Sequence, residues 1–360
     1  MRLASLPLCS LVLAACGGPS SLPPTDGGAA DAAQVPRPPL GAPFQAPAGR
    51  WSWVDLAGAV CDDGSPTGIG VNGGSGPDLL FYFMGGGACW DNTTCFVANT
   101  ATHGPIGAAQ LNAAAKNLAT NTVFDRDSPT NPFRDATYVL IPYCTGDLHV
   151  GDRLASYGGR PYHHKGRANV LAAAPRVAAT WPNPRRLVVS GSSAGGYGAV
   201  FNYQTLRAYF PEARGYLVDD SGPPLRDNDI PPGFRDAWIA AWGLDGAFDS
   251  VCPTCRNDFS QVFPTIAARY PKDRLSLLSY NRDRTISGYI FVSPAGFQTA
   301  LDSLAQGVLA PLANARHFYL DGQDHTMLGR IKSLSGGGVR LDEWLRRQVD
   351  DDGAWKSIQP

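Results

Sequence analysis

The segment Gly191-Ser192-Ser193-Ala194-Gly195 follows a short apolar run, 186–190, and precedes a stretch with apolar residues at helical spacing. In the pattern G-x-S-x-G, a strand turns sharply into a helix, and the glycines let the two elements pack closely while the central serine occupies strained backbone at the apex. The pattern therefore predicts that Ser193 lies above the end of a sheet, at a helix N-terminus. There the N–H of Ala194 can face a negatively charged oxygen.

Short apolar runs alternate with helical patterns along the rest of the chain. The predicted strands are 79–84, 137–142, 186–190, 215–219, 275–280 and 317–320, and the predicted helices are 168–180, 195–210 and 339–349. This alternation predicts an α/β fold with a mainly parallel sheet and helices on both faces. The Gly-rich stretch 72–76 between two apolar runs predicts a hairpin turn. The aromatic stretch 234–248 fits either a lid or pocket wall, or a core helix.

Two histidines lie downstream of Ser193, and one of them is the predicted base. A serine hydroxyl is a poor nucleophile unless a base takes its proton, and in strand-turn-helix sites of this type the acid and then the histidine follow the serine. His317 falls inside a predicted strand, whereas His325 lies in the loop beyond it. We therefore expect His325 to be the base.

The predicted acid is Asp283, which directly follows the strand 275–280. Its carboxylate would orient the imidazole and stabilise its protonated form. Asp219 and Asp220 also follow a predicted strand, so they stay open as alternatives.

A glycine run, Gly85-Gly86-Gly87, follows the strand 79–84 and is suited to bind an oxyanion. Glycines let backbone approach a substrate closely, and a second N–H donor is expected from the loop after an early strand. The predicted donors are the N–H groups of Gly86, Gly87 and Ala194. A disulfide between Cys89 and Cys95 would stiffen this loop.

The N-terminal residues predict export. Residues 1–15 combine Arg2, a short apolar run and small residues, which is typical of a signal peptide. Leu13-Ala14-Ala15-Cys16 resembles a bacterial lipobox with Cys16 as the lipidated residue, and a signal with an incidental cysteine is the alternative. Residues 16–49 are rich in Gly, Pro and Ala and predict a disordered linker, so 50–360 is the predicted folded domain. The expected location is the bacterial cell envelope, at the outer membrane, or the exterior.

Six cysteines remain in the predicted domain, an even number that suggests disulfides in an exported chain. Spacing favours Cys89–Cys95 and Cys252–Cys255, which leaves Cys61 and Cys144 for each other, although other pairings stay open. A zinc site at Cys252 and Cys255 would need further ligands, and no second CxxC is present. We therefore predict no metal site at these cysteines. We also predict none at the consecutive residues His163 and His164, and we expect no cofactor.

Several motifs together resemble one family. The segments that resemble those of pectin acetylesterases and Notum-type carboxylesterases are 61–66 (CDDGSP), 85–95 (GGGACWDNTTC), 141–147 (IPYCTGD), 191–196 (GSSAGG) and 220–222 (DSG). The resemblance extends over residues 50–328. It implies an α/β-hydrolase fold and ester cleavage without metal by a triad of Ser193, Asp283 and His325. The chain departs from the family's sequence pattern at two places. Ala88 stands where the plant-type relatives have Trp, and the segment around Asp283 differs from the corresponding segment of the family.

The sequence thus predicts an exported serine carboxylesterase that removes acetyl groups from polysaccharide. A Notum-like esterase for lipid acyl groups is the first alternative, and a tethered binding protein without catalysis is the second. Lys and Arg number 30 against 31 Asp and Glu, so no overall positive field attracts nucleic acid. The expected partners are an acylated substrate and, through the lipid anchor alone, a membrane. The chain is expected to be a monomer.

Overall fold

The computed structural model describes residues 37–118 and 122–360. The predicted signal segment 1–15, the predicted lipidation site Cys16 and the first part of the predicted linker lie outside these ranges. None of the described helices is both long enough and apolar enough to cross a lipid bilayer.

Within the described residues, eight strands form one sheet in the order β1-β2-β4-β3-β7-β8-β9-β10. These strands are β1 (Trp51–Val60), β2 (Pro66–Asn72), β3 (Leu79–Phe83), β4 (Thr137–Ile141), β7 (Arg186–Ser192), β8 (Arg214–Asp220), β9 (Arg274–Tyr280) and β10 (Ala315–Leu320). All neighbours from β4 to β10 are parallel, and β1 and β2 add an antiparallel edge. Two small hairpins lie outside the sheet: β5 (Arg153–Tyr157) with β6 (Arg160–His164), and β11 (Ser335–Gly336) with β12 (Val339–Arg340).

Helices cover both faces of this sheet. The helices are α1 (Ala108–Leu118), α2 (Gly166–Thr180), α3 (Ala194–Tyr209), α4 (Phe234–Trp242), α5 (Asp245–Val251), α6 (Val262–Arg269), α7 (Arg284–Tyr289), α8 (Pro294–Leu304) and α9 (Leu341–Val349). Alternate residues of a strand enter different apolar clusters: Leu187 and Val189 pack on the side of α2 and α3, and Val188 packs on the side of α9. Because both faces are buried, the strands appear in the sequence as continuous apolar runs.

The predicted mainly parallel sheet is confirmed, and all six predicted strands are present with ends shifted by a few residues. The predicted helix 339–349 begins later, at Leu341, because Val339 and Arg340 form β12.

The prediction of a hairpin turn at 72–76 is wrong. β4 lies between β2 and β3 in the sheet and pairs with both. The stretch instead crosses the start of β4, where Gly74 N donates to Thr137 Oγ1 at 3.0 Å and Gly76 N donates to the Asp135 carbonyl at 2.8 Å. A glycine-rich stretch indicates only that the chain turns locally. Which strands become neighbours in the sheet is decided by the long-range parallel pairing of β3.

The prediction that disorder extends to residue 49 is wrong for residues 37–49. This segment lies against α2, where Gly41 N donates to the Pro175 carbonyl at 3.0 Å. The Phe44 ring packs edge-on against Trp181 with ring centroids 5.5 Å apart. Composition predicts disorder because apolar residues are few, but one half-buried aromatic ring and backbone hydrogen bonds hold the segment in place.

The described residues form three disulfides, and these join the cysteines that spacing favours. The pairs are Cys61–Cys144, Cys89–Cys95 and Cys252–Cys255. Disulfides persist in oxidising compartments, so they are consistent with export.

Candidate active site

Ser193 lies at the apex of the turn between β7 and α3. Its φ of +60° is uncommon for a residue with a side chain. A Cβ added at Gly191 would lie 2.2 Å from the Gly195 carbonyl oxygen, and one added at Gly195 would lie 2.0 Å from the Phe83 carbonyl oxygen. Only glycine fits at these two positions, so the strand, the turn and the helix pack tightly and leave Ser193 at the top.

The glycine run 85–87 passes directly beside Ser193. A Cβ at Gly85 would lie 3.1 Å from the Ser193 Cβ. Gly87 has φ +79° and contributes to the wall of the cavity that Ser193 also lines. Ala194 is the first residue of α3, where an N–H has no partner within the helix and the helix dipole favours negative charge.

Backbone pairing on the far side fixes the orientation of this glycine loop. The Gly86 carbonyl accepts from Thr102 N at 2.7 Å, and Ala88 N donates to the Thr100 carbonyl at 3.2 Å. This bridge uses neither the N–H of Gly86 nor that of Gly87. Both N–H groups therefore take no part in these two hydrogen bonds, and they lie next to the serine.

Three further contacts anchor the same loop. The Cys89–Cys95 disulfide closes it, and Trp242 Nε1 donates to the Cys89 carbonyl at 2.8 Å. At the other end, His149 Nε2 donates to the Met84 carbonyl at 2.8 Å. Burial lowers the pKa of His149 to about 4, so the ring is neutral and carries its proton on Nε2. The loop is thus held in one conformation before any substrate binds.

His325 and Asp283 are in direct contact. His325 Nδ1 lies 2.7 Å from Asp283 Oδ2, and the carboxylate is fully buried. The other oxygen, Oδ1, accepts from Thr285 N at 2.8 Å and Ile286 N at 3.0 Å, so Asp283 also caps α7. These bonds set the imidazole tautomer with the proton on Nδ1. His325 Nε2 is buried and has no hydrogen-bond partner among the residues that the structure describes.

Asp220 contacts the backbone after His325 and not its ring. Its carboxylate accepts from Met327 N at 2.9 Å, from Leu328 N at 2.9 Å and from Ser192 Oγ at 2.6 Å. Burial raises the pKa of Asp220 above its ordinary value. Asp219, the other alternative acid, accepts from Gly222 N at 2.9 Å. Of the candidate acids, Asp283 is the one that contacts His325.

Asp220 also links the two halves of the site. Its carbonyl accepts from Ser193 N at 2.7 Å, while its carboxylate holds the residues that follow His325. In the described structure, Ser193 Oγ and His325 Nε2 are not hydrogen-bonded to each other. In enzymes without substrate such bonds are often long and tighten only in the reacting complex.

A small cavity opens beside Ser193, with a volume of 20 Å³. Its walls include Ala88, Leu148, Tyr197, Trp238, Tyr289 and Ile290. Trp238 belongs to α4, so the aromatic stretch 234–248 supplies a wall of this cavity, and Trp238 is itself buried. A wider groove of 710 Å³ between Phe96, His103 and Arg160 contains neither Ser193 nor His325.

The side chains that the sequence offers as possible metal ligands form a disulfide or hydrogen bonds instead. Cys252 and Cys255 form a disulfide. His164 uses both ring nitrogens, one with the Thr145 carbonyl and one with Tyr157 OH, each at 2.9 Å. Over the described ranges 37–118 and 122–360, no group of three or more His, Cys, Asp or Glu side chains is arranged to hold a metal ion.

Sequence reasoning missed the supporting residues of this site. The loop-anchoring role of His149 depends on a left-handed backbone, φ +62°, that no local signal reveals. The role of Asp220 as a link depends on the path of a loop more than a hundred residues later. The segment 141–147, close to His149, and the segment 220–222, which contains Asp220, are among those that carry the family resemblance.

The pectinacetylesterase family model matches residues 52–272 of the chain. The chain belongs to the pectinacetylesterase family. One curated relative is the palmitoleoyl-protein carboxylesterase Notum of Schmidtea mediterranea. It is 26% identical to this chain over 151 residues. That alignment covers 41% of this chain and 28% of the relative, so the chain spans less than a third of the relative's length.

Solved structures show the fold of this pectinacetylesterase-family chain. The Wnt deacylase Notum from Drosophila matches with a TM-score of 0.63 and 17% identity, and the match covers 85% of this chain and 95% of that one. A second crystal form of the same protein gives a TM-score of 0.60 and 18% identity, with 85% and 94% covered. The α/β-hydrolase fold and the family resemblance are confirmed. The names of the family and of the curated relative both denote ester hydrolysis.

Proposed function

We propose that this protein is an exported serine carboxylesterase that removes acetyl groups from polysaccharide. The observation that carries the proposal is the contact between His325 Nδ1 and Asp283 Oδ2 at 2.7 Å, which leaves His325 Nε2 buried and free. A histidine held in this tautomer can accept a proton at Nε2. We propose that the hydroxyl of Ser193, on the turn that Asp220 links to the loop after His325, supplies that proton.

In the proposed reaction, Ser193 Oγ attacks the ester carbonyl carbon while its proton passes to His325 Nε2. The tetrahedral oxyanion accepts hydrogen bonds from the N–H groups of Gly86, Gly87 and Ala194. Asp283 remains ionised and stabilises the imidazolium. The carbon–oxygen bond to the alcohol breaks as His325 protonates the departing oxygen, and an acyl-enzyme remains. Water then attacks this ester by the same route, which releases the acid and restores Ser193.

The size of the cavity beside Ser193 supports an acetyl group over a long acyl chain. The cavity of about 20 Å³ is narrow and is walled by Ala88, Trp238 and Ile290, so it favours a short acyl group. The fatty acyl group in the name of the curated Notum relative is far larger, so we rank a lipid esterase second.

Export of the enzyme and its anchoring through Cys16 complete the proposal. The disulfides support export. The proposed substrate, an acetylated polysaccharide, lies outside the cell, and the enzyme works as a monomer without a metal or cofactor.

The proposal is tested by acetate release from acetylated pectin and by hydrolysis of p-nitrophenyl acetate, for the wild type and for Ser193→Ala. We expect the variant to lose both activities. Equal rates for the two proteins would contradict the esterase function and favour a binding protein. With p-nitrophenyl esters of increasing length, kcat/KM should fall; a rise with chain length would favour the lipid esterase. Unchanged activity in a chelator is expected, and its loss would show that a metal is required.

A further inference from the structure

A second apolar cavity lies directly behind the one beside Ser193. The two cavities share three wall residues, Tyr197, Trp238 and Ile290. The remaining walls of the second cavity are Pro223, Leu225, Ile230, Phe234 and Phe259, all of which have apolar side chains. Its volume is 10 Å³, so it is closed to a substrate as the protein stands. A single layer of side chains therefore separates the site of acyl transfer from further apolar space.

Of the three shared residues, Trp238 is the one whose helix neither begins after Ser193 nor is capped by Asp283. Tyr197 lies on α3, the helix that begins after Ser193, and Ile290 follows α7, which Asp283 caps. Trp238 lies on α4, which carries none of the proposed triad. A change at Trp238 can therefore alter the cavity without moving the nucleophile or the acid.

The indole of Trp238 is fixed by aromatic rings around it. It is 4% exposed, and its ring centroid lies 4.5 Å from Phe234, 4.6 Å from Trp242 and 6.3 Å from Phe259. Tyr197 meets it edge-on at 6.3 Å. A side chain packed on this many sides cannot rotate away to admit a longer substrate.

Hydrogen bonding does not account for a tryptophan at this position. The N–H of Trp238 is buried and has no partner within the described part of the chain, although a buried Trp N–H usually has one. One turn later on the same helix, Trp242 donates its N–H to the Cys89 carbonyl at 2.8 Å. The contribution of Trp238 is thus the volume that its ring fills between the two cavities.

We infer that Trp238 sets the upper limit on acyl length by filling the space between the cavity beside Ser193 and the apolar cavity behind it. The inference rests on the proposed esterase function and names its specificity-determining residue. Replacement of the indole by a smaller side chain joins the two cavities into one apolar channel that begins at Ser193. A straight acyl chain of medium length is the group that fits such a channel. Each methylene buried there improves kcat/KM about fourfold.

The test compares Trp238→Leu with the matched control Trp242→Leu, which replaces the same residue type on the same helix but lines neither cavity. The readout is kcat/KM for p-nitrophenyl acetate, butyrate and octanoate. For the wild type and the control we expect kcat/KM to fall with chain length in the same proportion. For Trp238→Leu we expect the octanoate-to-acetate ratio to rise at least tenfold. The control also loses its hydrogen bond to Cys89, so its absolute rates fall while its ratio stays the same.

An unchanged ratio in Trp238→Leu, with acetate hydrolysis retained, overturns the inference and leaves the esterase function intact. A similar rise in Trp242→Leu overturns it too, because general loosening of α4 would then explain the effect. If Trp238→Leu fails to fold, Trp238→Phe decides the question. For that variant the butyrate-to-acetate ratio must rise, and an unchanged ratio overturns the inference. Failure of the esterase function itself is recognised separately, by undiminished hydrolysis in Ser193→Ala.

Discussion

Two buried carboxylates, Asp283 and Asp220, have different partners and therefore different proposed roles. Asp283 divides its oxygens between the imidazole of His325 and the N-terminus of α7. Asp220 accepts from the backbone that follows His325 and from Ser192 Oγ. The first is positioned to act on the histidine ring, and the second to hold the loop that carries it.

Replacement of each acid by asparagine should separate these roles. Asp283→Asn keeps an oxygen for the α7 cap but loses the carboxylate at His325 Nδ1, so we expect kcat to fall by about 10³- to 10⁴-fold with little change in Tm. In Asp220→Asn, an amide NH₂ faces the N–H groups of Met327 and Leu328, which should cost about 1–3 kcal/mol of stability with a smaller loss of kcat. Hydrolysis of p-nitrophenyl acetate and thermal unfolding measure the two effects. The opposite pattern would assign the triad acid to Asp220.

At the residue scale, the sequence specified Ser193 and His325 better than the acid. The serine is part of a local motif whose glycines have a steric reason, and the histidine follows from loop position and chain order. The acid is ambiguous because Asp220 ends the parallel strand β8 and Asp283 lies shortly after the parallel strand β9. Only the course of the loop around His325 decides which carboxylate contacts the ring, and that course depends on tertiary packing.

At the scale of elements, the strands buried on both faces were predictable because each is a continuous apolar run. The antiparallel strands β1 and β2 were not predicted; β1, at the edge of the sheet, is largely exposed or half-buried and lacks such a run. The segment 37–49 and the stretch 72–76 were misjudged for a related reason. Their structure depends on contacts with α2 and with the start of β4, which lie far away in sequence.

The disulfides allow a prediction about the glycine loop. Cys89–Cys95 and Cys252–Cys255 close short loops, with sequence separations of 6 and 3, so loss of either should cost a similar free energy of unfolding, about 2 kcal/mol. Cys89 adjoins the proposed oxyanion donors, whereas Cys252 and Cys255 lie between α5 and α6. We expect Cys89→Ser with Cys95→Ser to lower kcat at least tenfold, because loosely held donors stabilise the oxyanion less.

The variant with Cys252→Ser and Cys255→Ser is the control, and its kcat should stay within about twofold of the wild type. Steady-state kinetics and urea unfolding of both variants supply the comparison. Equal losses of kcat would mean that the disulfide acts only through global stability.

At the scale of the whole molecule, buried neutral histidines make the fold sensitive to acid. Burial, together with the charge of neighbouring Arg316, lowers the pKa of His317 to about 4. Burial also lowers the pKa of His149 to about 4 and of His164 to about 3. Between the ordinary pKa of 6.5 and these values, the unfolded chain binds protons that the folded chain does not. Stability should therefore fall as the pH drops from about 6.5 towards 4.

His317→Phe should reduce this acid sensitivity. Neither ring nitrogen of His317 has a hydrogen-bond partner, and the ring stacks on Tyr319 with centroids 4.4 Å apart, a contact that phenylalanine can keep. At pH 5 we expect the variant to gain about 2 kcal/mol relative to the wild type beyond any difference at pH 8. Urea unfolding at both pH values measures it. An identical difference at pH 5 and pH 8 would show that His317 titrates normally in the folded protein.

His325 is proposed to activate Ser193 as a nucleophile, and covalent labelling of the serine tests this activation. A p-nitrophenyl phosphonate reacts with an activated serine and leaves a stable adduct that peptide mapping by mass spectrometry can locate. We predict one adduct, on Ser193, with release of an equal amount of p-nitrophenol. We predict no adduct in Ser193→Ala and only very slow labelling in His325→Ala. An adduct on another residue, or labelling of Ser193 that is as fast without His325, would contradict the account.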